Sequence, residues 1–203
     1  MVDALVRSYP IISDQVDKEE LRIILLELEK VLTKKVAGDI VEFGCYTGTT
    51  SLFIQRLLEG KNSAKTFHVY DSFSGLPEKT LQDQSPVGEQ FTAGELRASK
   101  REFAQNFQRA GLALPTIHKC WFHEVTDSEL PEAISFAYLD GDFYGSIMDS
   151  LTAIENRLSS GAVIVVDDYQ SEALPGVARA VRDWLKTHTG ELRITASLAV
   201  IQT

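Results

Sequence analysis

The feature that most constrains this 203-residue sequence is an alternation of short, largely apolar segments with longer segments of helical period. Short apolar runs are typical of strands that are covered on both faces of a sheet. Five such runs occur: DIVEFG (39–44), TFHVYD (66–71), PTIHKCWF (115–122), ISFAYLD (134–140) and GAVIVVDD (161–168). The alternation predicts an α/β fold, with a mostly parallel sheet and helices on both of its faces.

Helices are predicted between these strands, over residues 15–35, 47–60, 142–158 and 174–188. A further helix is predicted to end near Gly111 and to begin at a T-x-x-E capping pattern formed by Thr92 and Glu95. The last segments, ELRITA and SLAVIQT, suit a terminal hairpin. We expect one domain over residues 1–203, with residues 1–36 as an N-terminal helical segment.

Residues 72–94, here called the lid loop, show no helical or strand period and are rich in glycine and proline. A loop of this length inside a compact domain is typical of a segment that covers an active site, or of a disordered segment. We expect it to close over a bound ligand.

The composition narrows the classes of partner. The net charge of −9 argues against a nucleic-acid-binding surface, which needs a basic face. No run approaches the roughly 20 apolar residues of a membrane span, and MVDALVRSYP lacks the apolar core of a signal peptide. Cys45 and Cys120 lie far apart and fit neither a zinc site nor a CxxC motif. A cytoplasmic location is therefore expected, with no nucleic-acid or membrane partner.

The first predicted strand runs into a glycine loop, VEFGCYTGTTS, in which Gly44 and Gly48 are four residues apart. A dinucleotide-binding loop would instead carry G-x-G-x-x-G, so a nicotinamide-dependent oxidoreductase is disfavoured. The loop fits the amino-acid part of S-adenosylmethionine, with Glu42 accepting from its ammonium group. The helix N-terminus at Thr49 and Thr50 would bind its carboxylate. The alternative is a tight turn that only requires small residues.

An acid, Asp71, ends the second predicted strand. A carboxylate at this place can accept hydrogen bonds from both hydroxyls of a ribose, which many nucleoside-binding proteins use. The alternative role for Asp71 is a turn or helix cap.

Carboxylates also end the fourth and fifth predicted strands, as Asp140 and as the pair Asp167 and Asp168. If these strands are neighbours, the three acids meet at one edge of the sheet, where their repulsion raises their pKa values unless a cation binds. Oxygen ligands of this kind suit Mg²⁺. The alternative is that each acid caps a following helix. A further alternative reads LDGD as the D-x-D of a phosphatase, but that motif belongs at the first strand.

The order and spacing of several motifs resemble the macrocin O-methyltransferase family over roughly residues 38 to 188. The resemblance is carried by VEFGCYTGTTS, YDSFSGLPE, HKCWF, YLDGDFYGSIMDSLTAI and GAVIVVDDY. It implies a Rossmann-like class I methyltransferase fold with a seven-stranded sheet in the order 3-2-1-4-5-7-6.

The same resemblance implies an S-adenosylmethionine-dependent, Mg²⁺-dependent O-methyltransferase that acts on a hydroxyl of a small molecule, such as a sugar or a glycosylated natural product. The implied metal ligands are Asp140, Asp167 and Asp168. The implied donor site comprises Glu42, Gly44, Tyr46, Gly48, Thr50, Asp71, Ser72 and Phe122. A homodimer is a reasonable expectation for such an enzyme.

Catalysis by such an enzyme needs a group that takes the hydroxyl proton. Asp140 is the first candidate, and His123, just after the third strand, is the second. Catechol-type O-methyltransferases of the same metal class are an alternative, but Phe143 stands where they carry a lysine base. A nucleoside-binding module without activity is another alternative, against which the acid triad argues. Cys120 and Gly145 also depart from the family pattern, so the donor and metal sites carry over better than the acceptor site.

Overall fold

The computed structural model describes residues 1–88 and 90–203, and these residues form a seven-stranded sheet. The strands are β1 (Asp39–Phe43), β2 (Phe67–Asp71), β3 (Thr116–Lys119), β4 (Ile134–Leu139), β5 (Leu158–Val166), β6 (Glu191–Thr195) and β7 (Leu198–Gln202). Their order is β3-β2-β1-β4-β5-β7-β6. β1 to β5 pair in parallel, and β7 is antiparallel to both of its neighbours. The Rossmann-like methyltransferase architecture is therefore confirmed.

Helices cover both faces of this sheet. They are α1 (Val2–Ser8), α2 (Lys18–Lys34), α3 (Thr49–Gly60), α4 (Lys100–Ala110), α5 (Tyr144–Ile154) and α6 (Pro175–Trp184). Successive strand residues face opposite sides, so Ile40 packs in the core under α1 to α4 and Val41 in the core under α5 and α6. Within the described ranges, no helix is both long enough and apolar enough to span a bilayer.

The register of the sheet brings several strand ends to one level. Phe43 at the end of β1 pairs with Leu139 of β4, and Leu139 pairs with Val166 of β5. The residues that follow these three therefore leave the sheet at the same edge. That edge carries the glycine loop and the strand-end acids, as expected for a ligand site in a parallel sheet.

The start of α4 differs from the prediction. Thr92 and Glu95 do bond to each other, since Glu95 accepts from the Thr92 N–H at 3.1 Å and from its hydroxyl at 3.0 Å. These bonds close a turn within the loop, and the helix begins only at Lys100. Ser99 caps it by accepting from the N–H of Glu102 at 3.1 Å.

The two candidate caps can be separated by substitution. Ser99→Ala should lower the free energy of unfolding by about 1 kcal/mol, because an orphan N–H of α4 loses its acceptor. Thr92→Ala is the matched control and should leave the helical content unchanged. Urea unfolding followed by circular dichroism measures both variants, and an equal loss of helix in the two would contradict the assigned helix start.

Candidate functional site

The glycine loop of residues 44–48 begins where β1 meets the end of β4. Gly44 has a φ of +87°, and a Cβ atom on it would lie 1.9 Å from the carbonyl oxygen of Asp140. Only glycine fits both the backbone angle and this contact. The loop backbone is therefore held directly against the residue that begins the acid turn, defined here as residues 140–143.

Asp71, at the end of β2, fixes the path of the glycine loop. Its Oδ2 accepts from the N–H groups of Cys45 at 2.9 Å and Tyr46 at 3.2 Å, and its Oδ1 accepts from the N–H of Phe73 at 2.6 Å. A carboxylate oxygen has two lone pairs, so acceptor capacity remains for a ligand. One side chain thus positions the loop and also lines the cavity in front of it.

Glu42 lies behind the loop and is only 1% exposed. Ser51 on α3 donates its hydroxyl to Oε2 of this carboxylate. Burial raises the pKa of Glu42 to about 8, the Ser51 hydrogen bond opposes the shift, and the charge of Asp71 adds to it. A proton is therefore held here at neutral pH in the absence of a bound cation.

Three carboxylates meet in front of β4 and β5. Asp140, Asp142 and Asp168 each offer an oxygen, and these oxygens lie within 4.8 Å of one another. Burial, followed by the charges of the neighbouring aspartates, holds the pKa of Asp140 and of Asp142 well above the ordinary value. Burial also raises the pKa of Asp168 to about 6, with a contribution from Glu20. The group, called the acid cluster below, carries strong mutual repulsion.

Asp167 lies beside the acid cluster but faces another partner. Its Oδ2 accepts from the hydroxyl of Tyr138 on β4, and its Oδ1 accepts from the N–H of Asp168 at 2.8 Å. The same Tyr138 hydroxyl lies 3.3 Å from Oδ2 of Asp140. Burial, with the charge of Asp168, raises the pKa of Asp167 to about 7, although the Tyr138 hydrogen bond opposes the shift.

Asp142 belongs to the observed acid cluster but not to the ligand set predicted from the sequence. The pattern D-G-D, in which a second acid follows Asp140 by two residues directly after a predicted strand, could have identified it. Asp142 has a φ of +59° and Asp168 a φ of +54°. Left-handed backbone is uncommon for residues other than glycine, and aspartate is among those that tolerate it. Both acids are therefore directed by tight turns rather than by regular strand geometry.

The glycine loop, the acid turn and the lid loop enclose a cavity of about 510 Å³. Eight of the predicted site residues line it: Gly44, Tyr46, Asp71, Ser72, Phe122, His123, Asp140 and Asp168. Four others lie outside its lining: Glu42, Gly48, Thr50 and Asp167. Gly48 supports the loop instead, because a Cβ atom there would lie 2.9 Å from the ring of Phe103. Most of the predicted site residues therefore line the cavity, and the other four lie outside its lining.

The charged side chains that line the cavity are almost all acidic. Seven carboxylates line it: Asp71, Glu78, Asp83, Asp140, Asp142, Asp149 and Asp168. Among the described lining residues there is one histidine, His123, and neither a lysine nor an arginine. His123 is exposed and opposes the upward pKa shift that burial gives to Asp149. A wall of this composition favours cationic or uncharged ligands.

Two hydrogen bonds join the two ends of the lid loop, whose described residues are 72–88 and 90–94. Leu76 donates its N–H to the carbonyl of Glu95 at 2.9 Å, and the N–H of Gly94 donates to the carbonyl of Leu76 at 2.9 Å. Leu76, Pro77 and Thr80 line the cavity from this side. The expected closure on ligand binding stays a prediction.

Comparison with known proteins assigns the family. A model of the family described as Macrocin-O-methyltransferase (TylF) matches residues 13–202. The chain belongs to the macrocin O-methyltransferase family. The match includes the glycine loop, Asp71 and the acid cluster, so the cavity described above lies wholly within the family region.

Two curated relatives are similar over most of the chain. Mycinamicin III 3''-O-methyltransferase from Micromonospora griseorubida is 30% identical over 170 residues, which is 79% of this chain and 65% of the relative. The 8-demethyl-8-(2,3-dimethoxy-alpha-L-rhamnosyl)-tetracenomycin-C 4'-O-methyltransferase from Streptomyces olivaceus is 31% identical over 153 residues, 72% of this chain and 58% of the relative. The match therefore spans less than two thirds of these relatives' length.

Solved structures support the same placement. The O-methyltransferase NovP superposes with a TM-score of 0.79 at 25% identity, covering 100% of this chain and 88% of NovP. The calicheamicin methyltransferase CalS11 superposes with a TM-score of 0.74 at 18% identity, covering 99% of this chain and 89% of CalS11. The second likeness bears on the fold alone.

The buried Glu42 generates a prediction about pH. Its pKa in the folded state lies above the ordinary value of 4.5, so the folded protein binds this proton more tightly than the unfolded chain. Its contribution to the free energy of unfolding therefore falls as the pH rises from about 4.5 to about 8. Glu42→Gln keeps an acceptor for Ser51 and cannot ionise. The melting temperature of Glu42→Gln relative to wild type should thus increase between about pH 5 and pH 8.

The measurement uses protein free of donor and metal. Glu132→Gln, which changes an exposed acid, is the control and should follow the wild-type curve. Parallel curves for wild type and Glu42→Gln would contradict the assignment of a buried, neutral Glu42.

Proposed function

We propose that this protein is an S-adenosylmethionine-dependent O-methyltransferase that methylates a hydroxyl group of a sugar or a glycosylated natural product. The observation that carries the proposal is one cavity in which a glycine loop clamped by Asp71 faces the acid cluster. The names of its two curated relatives, which are O-methyltransferases for a mycinamicin and for a rhamnosyl tetracenomycin, support it.

The donor is proposed to bind at the β1 and β2 ends of the cavity. Asp71 would accept from the ribose hydroxyls, and Gly44 lets the donor approach the loop backbone. Tyr46, Ser72 and Phe122 line the same region. Glu42, Gly48 and Thr50 lie behind it, so we assign them to holding the loop in shape from below.

A divalent cation fits the acid cluster on the chemistry of its donor atoms. All of the ligand atoms are carboxylate oxygens, which Mg²⁺ prefers, and their mutual repulsion is relieved by a positive charge. Asp140 and Asp168 belong to both the predicted and the observed set. The third ligand is Asp167 in the predicted set and Asp142 in the observed cluster. When bound, the cation supplies a Lewis acid that lowers the pKa of an acceptor hydroxyl.

The chain's own residues then have to orient the acceptor and take a proton. In the transfer, the bond from sulfur to the methyl carbon breaks, a bond from that carbon to the acceptor oxygen forms, and the hydroxyl proton leaves. Asp140 lies in the cluster and is the proposed proton acceptor. Asp142, which lines the same cavity, is a second candidate, and the exposed His123 is a third. Positioning of the two reacting atoms supplies most of the remaining rate enhancement.

The charge of the wall bears on the acceptor. Seven carboxylates and no lysine or arginine line the described cavity, so a cation and a sulfonium donor leave it negative. An uncharged glycoside fits such a wall better than a sugar that carries phosphate groups, because like charges repel in a partly buried site. The proposed acceptor is thus a small, uncharged compound that carries a hydroxyl group.

Methyl transfer and its need for a cation can be tested together. Labelled S-adenosylmethionine with Mg²⁺ should methylate at least one uncharged glycoside in a panel, and excess chelator should abolish the transfer. Full activity in chelator would contradict the metal-dependent mechanism. Asp168→Asn should lose most activity with either ligand set, whereas Glu191→Gln, on the distant β6, should lose none.

Direct measurement of Mg²⁺ binding decides between Asp142 and Asp167 as the third ligand. Calorimetry of Mg²⁺ binding to Asp142→Asn and to Asp167→Asn should show a loss of about tenfold or more in the variant that lacks a true ligand. These changes are nearly isosteric, so circular dichroism should match wild type in both.

Donor binding tests the role of Asp71. Asp71→Asn should weaken S-adenosylhomocysteine binding by about 1–3 kcal/mol, because charge-assisted hydrogen bonds are lost. Asp39→Asn is a matched control, since Asp39 also accepts from a backbone N–H, that of Thr66 at 2.8 Å, but at the other end of β1. Equal donor affinity in Asp71→Asn and wild type would remove the assignment.

A further inference from the structure

Asp83 is a buried acid of the lid loop that the proposed chemistry does not use. It is only 2% exposed and ends a short 3₁₀ turn, Leu81–Asp83. Its Oδ2 accepts from the N–H of Thr80 at 2.9 Å and from the Thr80 hydroxyl at 2.7 Å. Buried carboxylates of this kind are costly unless every oxygen is engaged, so the second oxygen also needs a partner.

That partner lies on another element, 61 residues further along the chain. Oδ1 of Asp83 accepts from the N–H of Tyr144, the first residue of α5, at 2.6 Å. Phe143, at the N-cap position of α5, makes no capping hydrogen bond with its own side chain. Asp83 therefore supplies the cap from the lid loop, and its negative charge lies where the helix dipole favours it.

The capped residue directly follows the acid turn. Tyr144 is two residues after Asp142, and the N–H of Phe143 bonds back to the carbonyl of Gly141 at 2.6 Å within the turn. Asp142 itself has the left-handed φ of +59°. The direction of the Asp142 carboxylate thus depends on where the first turn of α5 is held, and Asp83 holds it.

The space that holds the Asp83 carboxylate, here called the Asp83 seat, lies between the N–H of Tyr144 and the first turn of α6. Gly176 lies in the first turn of this helix, and a Cβ atom there would be 1.9 Å from Oδ1 of Asp83 and 2.8 Å from the N of Tyr144. Any side chain at residue 176 would displace the carboxylate. The seat therefore admits Asp83 only because a glycine faces it.

We propose that Asp83 is a positioning residue, which makes the seating of the lid loop and the alignment of the acid turn a single event. The inference rests on the proposed function. With Asp83 seated, the lid loop covers the cavity and α5 is capped with Asp142 in the acid cluster. With Asp83 out, the lid loop is released and the acid turn loses its support.

Two variants remove the contact in different ways. Asp83→Asn removes the charge at nearly constant volume. Gly176→Ala leaves every carboxylate in the chain and fills the seat with a methyl group, and its helical backbone tolerates alanine. Glu95→Gln is the matched control, because the Glu95 carboxylate accepts the same kind of bond, from Thr92 of the lid loop, but has no hydrogen bond to α5 within the described part of the chain.

The first readout is Mg²⁺ affinity, measured by calorimetry without donor. Asp83→Asn and Gly176→Ala should each bind Mg²⁺ about tenfold more weakly, as observed when groups that orient metal ligands are removed. Glu95→Gln should bind as wild type does. Unchanged affinity in a folded Gly176→Ala would overturn the coupling.

The second readout uses wild-type protein, so it does not depend on whether the variants fold. Because coupling is reciprocal, saturating Mg²⁺ should shift the equilibrium towards the seated lid loop by the factor that seating adds to Mg²⁺ affinity. Trypsin cleavage after Lys79, four residues before Asp83, should therefore be slower with Mg²⁺ bound. Equal cleavage with and without bound Mg²⁺ would also overturn the proposal.

The results separate this inference from the proposed function. If wild type binds Mg²⁺ and the variants bind it equally well, the coupling is wrong and the metal site stands. If wild type binds no Mg²⁺, the metal site fails and the coupling fails with it. Protection of the lid loop by Mg²⁺ without methylation of any glycoside would support the coupling and count against the proposed acceptor.

Discussion

The contact between Gly44 and the carbonyl of Asp140 is the constraint on which the rest of the site depends. β1 and β4 are hydrogen-bonded up to their last residues, with Asp140 donating its N–H to Phe43 at 2.8 Å. Beyond these residues the chain leaves the sheet at both strands, from β1 into the glycine loop and from β4 into the acid turn. A missing Cβ atom lets both leave from the same point. The glycine loop and the acid cluster are therefore adjacent because of one backbone contact.

Burial of like charges is the main energetic cost of this arrangement. Asp140, Asp142 and Asp168 are drawn together by strand ends and tight turns. Burial raises the pKa of all three, and the charges of neighbouring aspartates add to the shift of Asp140 and Asp142, whereas Glu20 adds to that of Asp168. Tyr138 partly offsets the cost by donating its hydroxyl towards Asp167 and Asp140. The fold, with its large apolar cores on both faces, supplies the stability that tolerates such a site.

The sheet could be predicted because its apolar runs leave few alternatives. Five of seven strands stand out as short, largely apolar segments, and the acids at the ends of β2, β4 and β5 mark the edge that carries the cavity. The predicted start of α4 at Thr92 was wrong, because Thr92 and Glu95 close an isolated turn with the same hydrogen bonds that would cap a helix. Local pattern does not reveal whether a helix follows such a turn.

Two parts of the site could not be predicted from local pattern. The orientation of Asp167 is set by Tyr138, a residue of the neighbouring strand whose hydroxyl reaches across. The role of Asp83 depends on a contact 61 residues away and on Gly176 of α6, which faces it. Neither relation has a period or a motif, since both arise from packing between elements.

The antiparallel pairing of β7 has a consequence for synthesis of the chain. β5, which precedes Asp167 and Asp168, gains its second neighbour only when Ala199–Gln202 pair with Val163–Val166. At about 5–20 residues per second, the 36 residues from Val166 to Gln202 (202 − 166) take roughly 2–7 s to add on the ribosome. For that interval the edge of the apolar segment 162–166 of β5 is open to pairing with other chains. The segment that delivers the acids must thus be shielded in the nascent chain until β7 has been made.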